Sequence, residues 1–195
     1  LIDRGLAEQA RPLLDRALRN FRSTSYALGV AIVTSGTSRV ELRAGRIRLA
    51  EQMLIDARQQ FDKLGARPYL LDTISRQAEC MIVDRQPHEA LELLAEISTE
   101  ADDVPPLLLS FCDRMWACAL SQLGQIGAAI GHICSAVERS SERLPYEAAA
   151  SVWTGRRIAA EADIDDPFPH FDVDELANSL GVVSFPELPV SALRT

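Results

Sequence analysis

The feature that most constrains this chain is a short pattern of small and bulky apolar residues that recurs about every 40 residues. The pattern reads Ala-x-x-x-Leu-x-x-Ala, with small variations from copy to copy. The copies are Ala10, Leu14, Ala17 and Phe21; Ala50, Leu54, Ala57 and Phe61; Ala90, Leu94, Ile97 and Ala101; and Ala129, Ile133 and Ala136. Steps of four and three residues place these side chains on one face of a helix, and the small first residue lets a second helix approach closely.

A weaker register precedes the last three copies. Twelve residues before each pattern alanine stands another small residue, namely Ser38, Ala78 and Ala117. Turn signals such as Ala44-Gly45 and Leu123-Gly124 separate the two registers. Each unit is therefore predicted to be a helical hairpin, in which the second helix carries the repeated pattern.

Stacked hairpins are the fold that this spacing predicts. One hairpin cannot bury its own apolar face and must pack against its neighbours. We expect helices near residues 6–22, 25–43, 47–64, 68–84, 87–98, 105–123, 126–141 and 145–162. The predicted fold is an all-α solenoid of antiparallel helix pairs over residues 1–162, with an incomplete first unit.

In these positions the chain resembles the tetratricopeptide repeat (TPR) family over roughly residues 1–160. It departs from that family because its period is near 40 where the usual period is about 34. The family's early aromatic is replaced by Thr34, Ile74 and Asp113, and Pro12 inside the first helix is expected to kink or shorten it. The longer unit resembles repeats of large bacterial signalling proteins, among them transcriptional activators and nucleotide cyclases.

The composition changes after residue 162. Residues 163–195 form an acidic tail that contains several prolines, and this tail is predicted to be mostly irregular. A short capping helix is expected at residues 172–180, ending at Gly181. Residues 182–189 are predicted to have an extended backbone. Two alternatives stay open at this point: the tail packs over the last helix pair, or it is flexible.

Charge and hydropathy disfavour several classes of partner. The net charge is −8, and residues 101–195 carry 6 basic against 14 acidic side chains. No basic stripe is present, which argues against nucleic acid and anionic membrane surfaces as partners. No apolar run reaches the length that spans a bilayer and no signal-peptide pattern is present, so a soluble cytoplasmic protein is expected.

A catalytic or cofactor-binding set is not evident. No phosphate-binding Gly-x-x-x-x-Gly-Lys loop occurs, and the three histidines are not spaced for a nucleophilic or metal site. We therefore expect no enzyme activity, no metal and no cofactor. Gly124, Gly127 and Gly131 are interpreted as sites of close helix packing, and the four cysteines as buried free thiols, namely Cys80, Cys112, Cys118 and Cys134.

The resemblance implies where a partner would bind. In arrays of this kind the first helix of each pair lines the concave groove, and its non-core positions contact the ligand. These positions are Arg39, Arg43, Asp72, Arg76, Glu79, Phe111, Arg114 and Gln122. Arg39, Arg76 and Arg114 recur about once per unit and could form bidentate hydrogen bonds with carboxylates of an acidic or C-terminal peptide. The alternative is that they form ordinary ion pairs, for example Arg76 with Asp72 or Glu79. Trp116 and Trp153 are interpreted as packing between units.

Two functions remain open from the sequence. The first is a protein-interaction scaffold that binds a protein or peptide in its groove. The second is a C-terminal sensor or oligomerisation segment of a larger bacterial signalling protein, with a covalently linked output domain and possible homodimers. Ile2 aligns with Leu42 one period later and no initiator Met is present, so we expect a segment cut from a longer protein.

Overall fold

The computed structural model describes residues 1–98, 104–140 and 143–192, and within these ranges it contains helices and no strand. A single 3-10 turn, Ile2–Arg4, precedes the first helix. The α-helices of the described residues are α1 (Ala7–Ser23), α2 (Ala27–Arg43), α3 (Ile47–Lys63), α4 (Arg67–Val83), α5 (Pro87–Ser98), α6 (Pro106–Gln122), α7 (Ile126–Ser140), α8 (Pro145–Glu161) and α9 (Val173–Leu180). The predicted all-α fold is confirmed. Ala101 of the repeated pattern and residue 141 of the seventh predicted helix lie outside the described residues.

Local sequence sets where the helices begin and end. Prolines occupy the first or second position of α4, α6 and α8, where the missing N–H would have no helical partner. After α2, Gly45 adopts a left-handed conformation with φ 75°. Its N–H donates to the Leu42 carbonyl at 3.0 Å, and the Arg46 N–H donates to the Glu41 carbonyl at 2.9 Å. This pair of hydrogen bonds closes a helix end and turns the chain back into α3.

The helices pack in two rows. Consecutive helices contact each other through short turns, which makes them antiparallel pairs. The even-numbered helices also contact one another along the array, α2 with α4, α4 with α6 and α6 with α8. These four helices therefore form an inner row, and we call their shared surface the inner face.

The repeated pattern forms the core between the rows. Ala50, Ala90 and Ala129 have no exposed surface, and Leu54 and Ile133 are at most 1% exposed. In the first copy only Ala10 is buried, while Leu14, Ala17 and Phe21 are half-buried, because the main contacts of α1 are with α2 and the 3-10 turn. The period thus predicted the core correctly wherever a helix has neighbours on both sides.

Three expectations about single residues are wrong. Pro12 does not shorten α1, which is 17 residues long like α2 and α3, because Pro12 is exposed and removes one hydrogen bond near the helix start. The alternative expectation, a kink at Pro12, stays a prediction. Gly127 and Gly131 are not sites of close packing, since a Cβ placed on either would meet no atom within 4 Å. Cys134 is exposed on the outer side of α7, whereas the other three cysteines are buried free thiols.

Gly124, the third glycine of that group, serves the turn after α6. Its φ is 74°, and a Cβ there would also meet no atom within 4 Å. Its N–H donates to the Ser121 carbonyl at 3.0 Å, which repeats the closure seen at Gly45.

The tail is packed against the array. The expected short helix is present as α9: the Asp172 carboxylate accepts from the Glu175 N–H at 2.8 Å, and Gly181 ends the helix with φ 64°. Helix α9 contacts α8. The chain then crosses the inner face without helix or strand, burying Phe185, Leu188 and Val190.

No helix in the described part of the chain combines the length and the apolar character that crossing a bilayer requires.

Candidate functional site

The predicted groove residues all lie on inner helices, as their spacing implied. Arg39 and Arg43 are on α2, Asp72, Arg76 and Glu79 on α4, and Phe111, Arg114 and Gln122 on α6. The structure divides them between two regions of the inner face. Arg39, Asp72, Arg76 and Phe111 line a cavity, whereas Gln122, about three turns further along α6 than Phe111, contacts the tail. Whether a partner binds these residues stays a prediction.

The cavity has a volume of about 440 Å³, and we call it the central cavity. It is enclosed by the 3-10 turn, the inner helices and the end of α9. The lining residues that the sequence analysis did not select include Asp3, Leu107, Leu108, Tyr146 and Glu147. Its walls therefore combine charged groups with aromatic and aliphatic side chains.

Carboxylates of the chain itself pair with the arginines of the inner face. Glu79 is almost completely buried and forms ion pairs with Arg43 and with Arg76, the latter at 3.2 Å. Asp72 lies 3.8 Å from Arg76. Both ion pairs that were the alternative interpretation of Arg76 are therefore present.

The two ends of the row are paired in the same way. Arg114 donates to Glu147 of α8 at 2.8 Å, with both side chains buried. Arg39 donates to Asp3 of the 3-10 turn. The ion pairs join α2 to α4 and α6 to α8 across the inner face, so each of these two pairs links one repeat to the next.

Phe111 lies between two guanidinium groups. The Arg76 Cζ is 3.9 Å from its ring centroid and the Arg114 Cζ is 5.2 Å away. A cation over an aromatic face gains about 0.5–2 kcal/mol, more where water is excluded. The ring therefore fixes both guanidinium planes at the edge of the central cavity.

The pKa of Glu79 reflects this cluster. Burial by itself would raise the pKa of Glu79, but the positive charges of Arg43 and Arg76 outweigh burial and hold that pKa well below its ordinary value. Burial likewise acts to lower the pKa of Arg114, and Glu147 beside it more than compensates. Both shifts favour the charged forms of Glu79 and Arg114.

Several buried polar atoms of this region have no hydrogen-bond partner among the described residues. They are the Nε atoms of Arg39, Arg43, Arg76 and Arg114, and the hydroxyl of Tyr146. Leaving a buried donor unpaired costs about 1–3 kcal/mol, so native proteins rarely keep several together. Burial also raises the pKa of Tyr146 to about 12, so the hydroxyl stays protonated. These atoms have almost no accessible surface, so they are enclosed among the side chains of the inner face and do not face the central cavity.

The second region binds the tail through its backbone carbonyls. We call residues 185–191 the tail segment. Arg157 donates to the Leu188 carbonyl at 2.7 Å, Gln122 to the Pro189 carbonyl at 2.8 Å, and Ser121 to the Val190 carbonyl. Arg85, in the turn after α4, donates to the Ser191 carbonyl at 2.6 Å. Four successive carbonyls thus each receive a hydrogen bond from a side chain of the array.

Apolar contacts accompany these hydrogen bonds. Leu188 and Val190 belong to the same core cluster as residues of α4 and α6. Phe185 lies against Trp153 and Tyr146, with ring centroids 5.7 and 5.9 Å apart. Trp153 therefore contacts the tail, while Trp116 of α6 stacks on His132 of α7 at 5.4 Å. Both tryptophans are partly buried against core clusters, in agreement with the packing interpretation, but these ring partners were not predicted.

A larger cavity of about 570 Å³ separates part of the tail from the start of the array. It is lined by the beginning of α1, the end of α2 and the four tail residues Ser184, Phe185, Pro186 and Glu187. The tail also contacts the start of the array directly beside this cavity, since the Val183 N–H donates to the Arg4 carbonyl at 2.8 Å.

Sequence reasoning missed the residues that come from outside the repeat or from its last helix. Asp3, Tyr146, Glu147, Ser121 and Arg157 were not selected. Tyr146 and Glu147 stand one period of 39 after Leu107 and Leu108, which line the same cavity but were not selected either, so the register of the selected residues did not lead to them. No local pattern indicated that Asp3 would meet Arg39 or that the tail would cross the inner face.

The comparisons with known proteins give no assignment. No family model, no curated protein and no solved structure matches this chain. The likeness to tetratricopeptide repeats therefore stays a resemblance of sequence pattern. Within the described ranges, no group of three or more His, Cys, Asp or Glu side chains is arranged to bind a metal.

Proposed function

We propose that this chain is a protein-interaction scaffold whose inner face binds a peptide segment of a partner. The observation that carries the proposal is the way in which the array binds its own tail. Donors on α6, on α8 and in the turn after α4 bond the carbonyls of residues 188–191, and two apolar side chains are buried beside them.

This mode of binding does not depend on one particular sequence. Backbone carbonyls are common to all peptides, while the burial of Leu188 and Val190 requires apolar side chains two residues apart. Main-chain hydrogen bonds of this kind give affinity, and the side-chain pockets give specificity. A partner segment with apolar residues at that spacing would use the same donors after displacing the tail.

The test supplies the tail segment as a separate peptide to a chain that lacks it. A chain lacking residues 185–195 is mixed with a fluorescent peptide of residues 183–195, and binding is followed by polarisation. We expect saturable binding, and about a hundredfold weaker binding when the peptide carries Leu188→Asp and Val190→Asp, because two apolar side chains then lose their burial. The intact chain should bind the peptide much more weakly, since its own tail competes at high effective concentration.

A second version guards against misfolding of the shortened chain. The full chain with Leu188→Asp and Val190→Asp keeps every residue of the array and releases the tail. Circular dichroism checks its helix content before the same titration. Absence of binding by both forms, or equal binding of the apolar and the aspartate peptides, would contradict the proposal.

A second candidate function is a sensor segment of a larger bacterial signalling protein. The central cavity favours it, because its volume of about 440 Å³ and its mixed charged, aromatic and aliphatic walls suit a small ligand. Ligand binding would then be transmitted to a linked output domain or to a second copy of the chain. Light scattering after size exclusion, with and without ligand, tests the dimer; a mass that stays monomeric under both conditions counts against that route.

A further inference from the structure

The hydrogen bonds between the array and the tail segment all run in one direction in the described part of the chain. Side chains of the array donate to the carbonyls of residues 188–191, and they are Arg157, Gln122, Ser121 and Arg85. Within the same described ranges, no group of the array accepts an N–H of the tail segment. Even the buried amide oxygen of Gln122 accepts no hydrogen bond. A peptide bound here has its carbonyls satisfied, but its N–H groups find no acceptor on the array.

Proline removes N–H groups for which the array has no acceptor. Pro186 and Pro189 lack an N–H altogether. The Leu188 N–H donates to the Pro186 carbonyl at 3.1 Å, within the segment itself. Glu187 lies between them and is exposed. The part of the tail segment that leads into the carbonyl contacts therefore asks the array for almost no acceptors.

The same prolines favour the backbone that the buried side chains need. Phe185 and Leu188 each precede a proline, and a residue in that position favours an extended backbone. Both side chains are buried: Phe185 lies against the rings of Trp153 and Tyr146, and Leu188 belongs to the main core cluster. Since proline also restricts the unbound peptide, less conformational entropy is lost when the segment binds.

Trp153 connects the aromatic contact with the donors. The Arg157 Cζ lies 4.8 Å from the centroid of the Trp153 ring, and the Phe185 ring lies 5.7 Å from the same ring. Arg157 donates to the Leu188 carbonyl at 2.7 Å. One tryptophan therefore receives the aromatic residue before the first proline and holds the donor for the residue before the second.

We propose that the partner segment bound by the inner face is proline-containing, with the order aromatic-Pro-x-aliphatic-Pro-aliphatic that residues 185–190 show. The inference rests on the proposed function and adds the class of peptide that the site selects. The second proline is selected because an N–H at that position has no acceptor on the array. A β-strand, which must donate its N–H groups to a partner, is disfavoured for the same reason.

The experiment uses the full chain with Leu188→Asp and Val190→Asp, which releases the tail, and fluorescent peptides of residues 183–195. We expect Pro189→Ala in the peptide to weaken binding about tenfold, because it adds an N–H without an acceptor and frees the unbound backbone. A peptide with N-methylalanine at position 189 also lacks that N–H and should recover most of the loss. Glu187→Ala in the peptide is the matched control, since Glu187 is exposed, and should change the affinity by less than about twofold.

Hydrogen exchange makes the same comparison in the intact chain, with the tail in place. The Leu188 N–H is bonded within the tail segment, so its exchange, corrected for the intrinsic rate, follows opening of the tail. Pro189→Ala in the intact chain should speed this exchange about tenfold, and Glu187→Ala should leave it unchanged.

Equal or tighter binding of the Pro189→Ala peptide, or no recovery with N-methylalanine, would overturn the inference and leave the proposed function standing. Absence of binding by every peptide would remove both. If the chain with the released tail loses its helix content, the exchange measurement decides: equal Leu188 exchange in the Pro189→Ala chain and the parent would show that the second proline is not selected.

Discussion

Arg43 and Glu79 form an ion pair between α2 and α4, two inner helices whose paired residues are 36 positions apart in the chain. Glu79 is completely buried and also pairs with Arg76 on its own helix. A buried carboxylate that bonds two arginines resists replacement, because removing it leaves positive charge without compensation. This ion pair ties one repeat to the next on the inner face.

Glu79→Gln should therefore destabilise the chain, by about 3 kcal/mol at pH 7. The pKa of Glu79 is lowered in the folded state, so its contribution is present above the unfolded pKa near 4.5 and is lost as the pH falls through the lower folded value. Urea unfolding at a series of pH values should show the gap between parent and variant shrinking below about pH 4.5. Glu138→Gln, at an exposed position of α7, is the control and should change little.

If the gap between parent and Glu79→Gln were the same at pH 7 and at pH 3, the ion pairs would not be the source of its stability. A variant as stable as the parent at pH 7 would contradict the buried pairing itself.

The second prediction is that alanine substitutions at two glycines, one in α7 and one in α8, change the stability of the chain in opposite directions. A Cβ at Gly155 would meet the Ile133 Cγ2 at 2.7 Å, whereas at Gly131 it would meet nothing within 4 Å. Gly131→Ala should stabilise the chain by up to about 1 kcal/mol through helix propensity. Gly155→Ala should destabilise it by about 1–3 kcal/mol, because overpacking against Ile133 outweighs that gain. Thermal unfolding of both variants tests this; stabilisation by Gly155→Ala would show that α7 and α8 are not in close contact there.

The thiols provide a third prediction, which needs no variant to begin with. Burial raises the pKa of Cys80, Cys112 and Cys118 to about 12 in each case, while Cys134 is exposed. Because the thiolate is the reactive form, Ellman's reagent at pH 8 should titrate one thiol quickly and the other three only in denaturant. Cys134→Ser should remove the fast phase. Two or more fast thiols in the native chain would contradict the burial of the inner helices.

The helical array could be predicted because the residue patterns that specify its helices are local and recur along the chain. The spacing of Ala50, Leu54 and Ala57 defines one helical face, and the later copies of the pattern define the corresponding face in later helices. The carboxylate of Asp172 and the left-handed conformation of Gly181 likewise act within one turn of α9, so that helix was also foreseen.

The candidate site could be predicted only in part, because much of it depends on contacts between distant parts of the chain. Arg39 was selected from its register, but its partner Asp3 and the neighbouring Tyr146 come from opposite ends of the array. The bond from Gln122 to the Pro189 carbonyl spans 67 residues. Every residue has a backbone carbonyl, so no sequence pattern predicts which carbonyl will accept a hydrogen bond from the array.

The last prediction tests whether the tail is part of the folded structure. Leu188 is 1% exposed and Val183 is 71% exposed, although both belong to the same irregular stretch. Leu188→Ala should lower the free energy of unfolding by about 2–5 kcal/mol, as removal of a buried leucine does in a packed core. Val183→Ala should leave it within about 0.5 kcal/mol, the usual effect at an exposed position. Urea unfolding followed by circular dichroism measures both. If the two variants matched the parent, the tail would not be docked on the inner face, and the carbonyl contacts that support peptide binding would lose their basis.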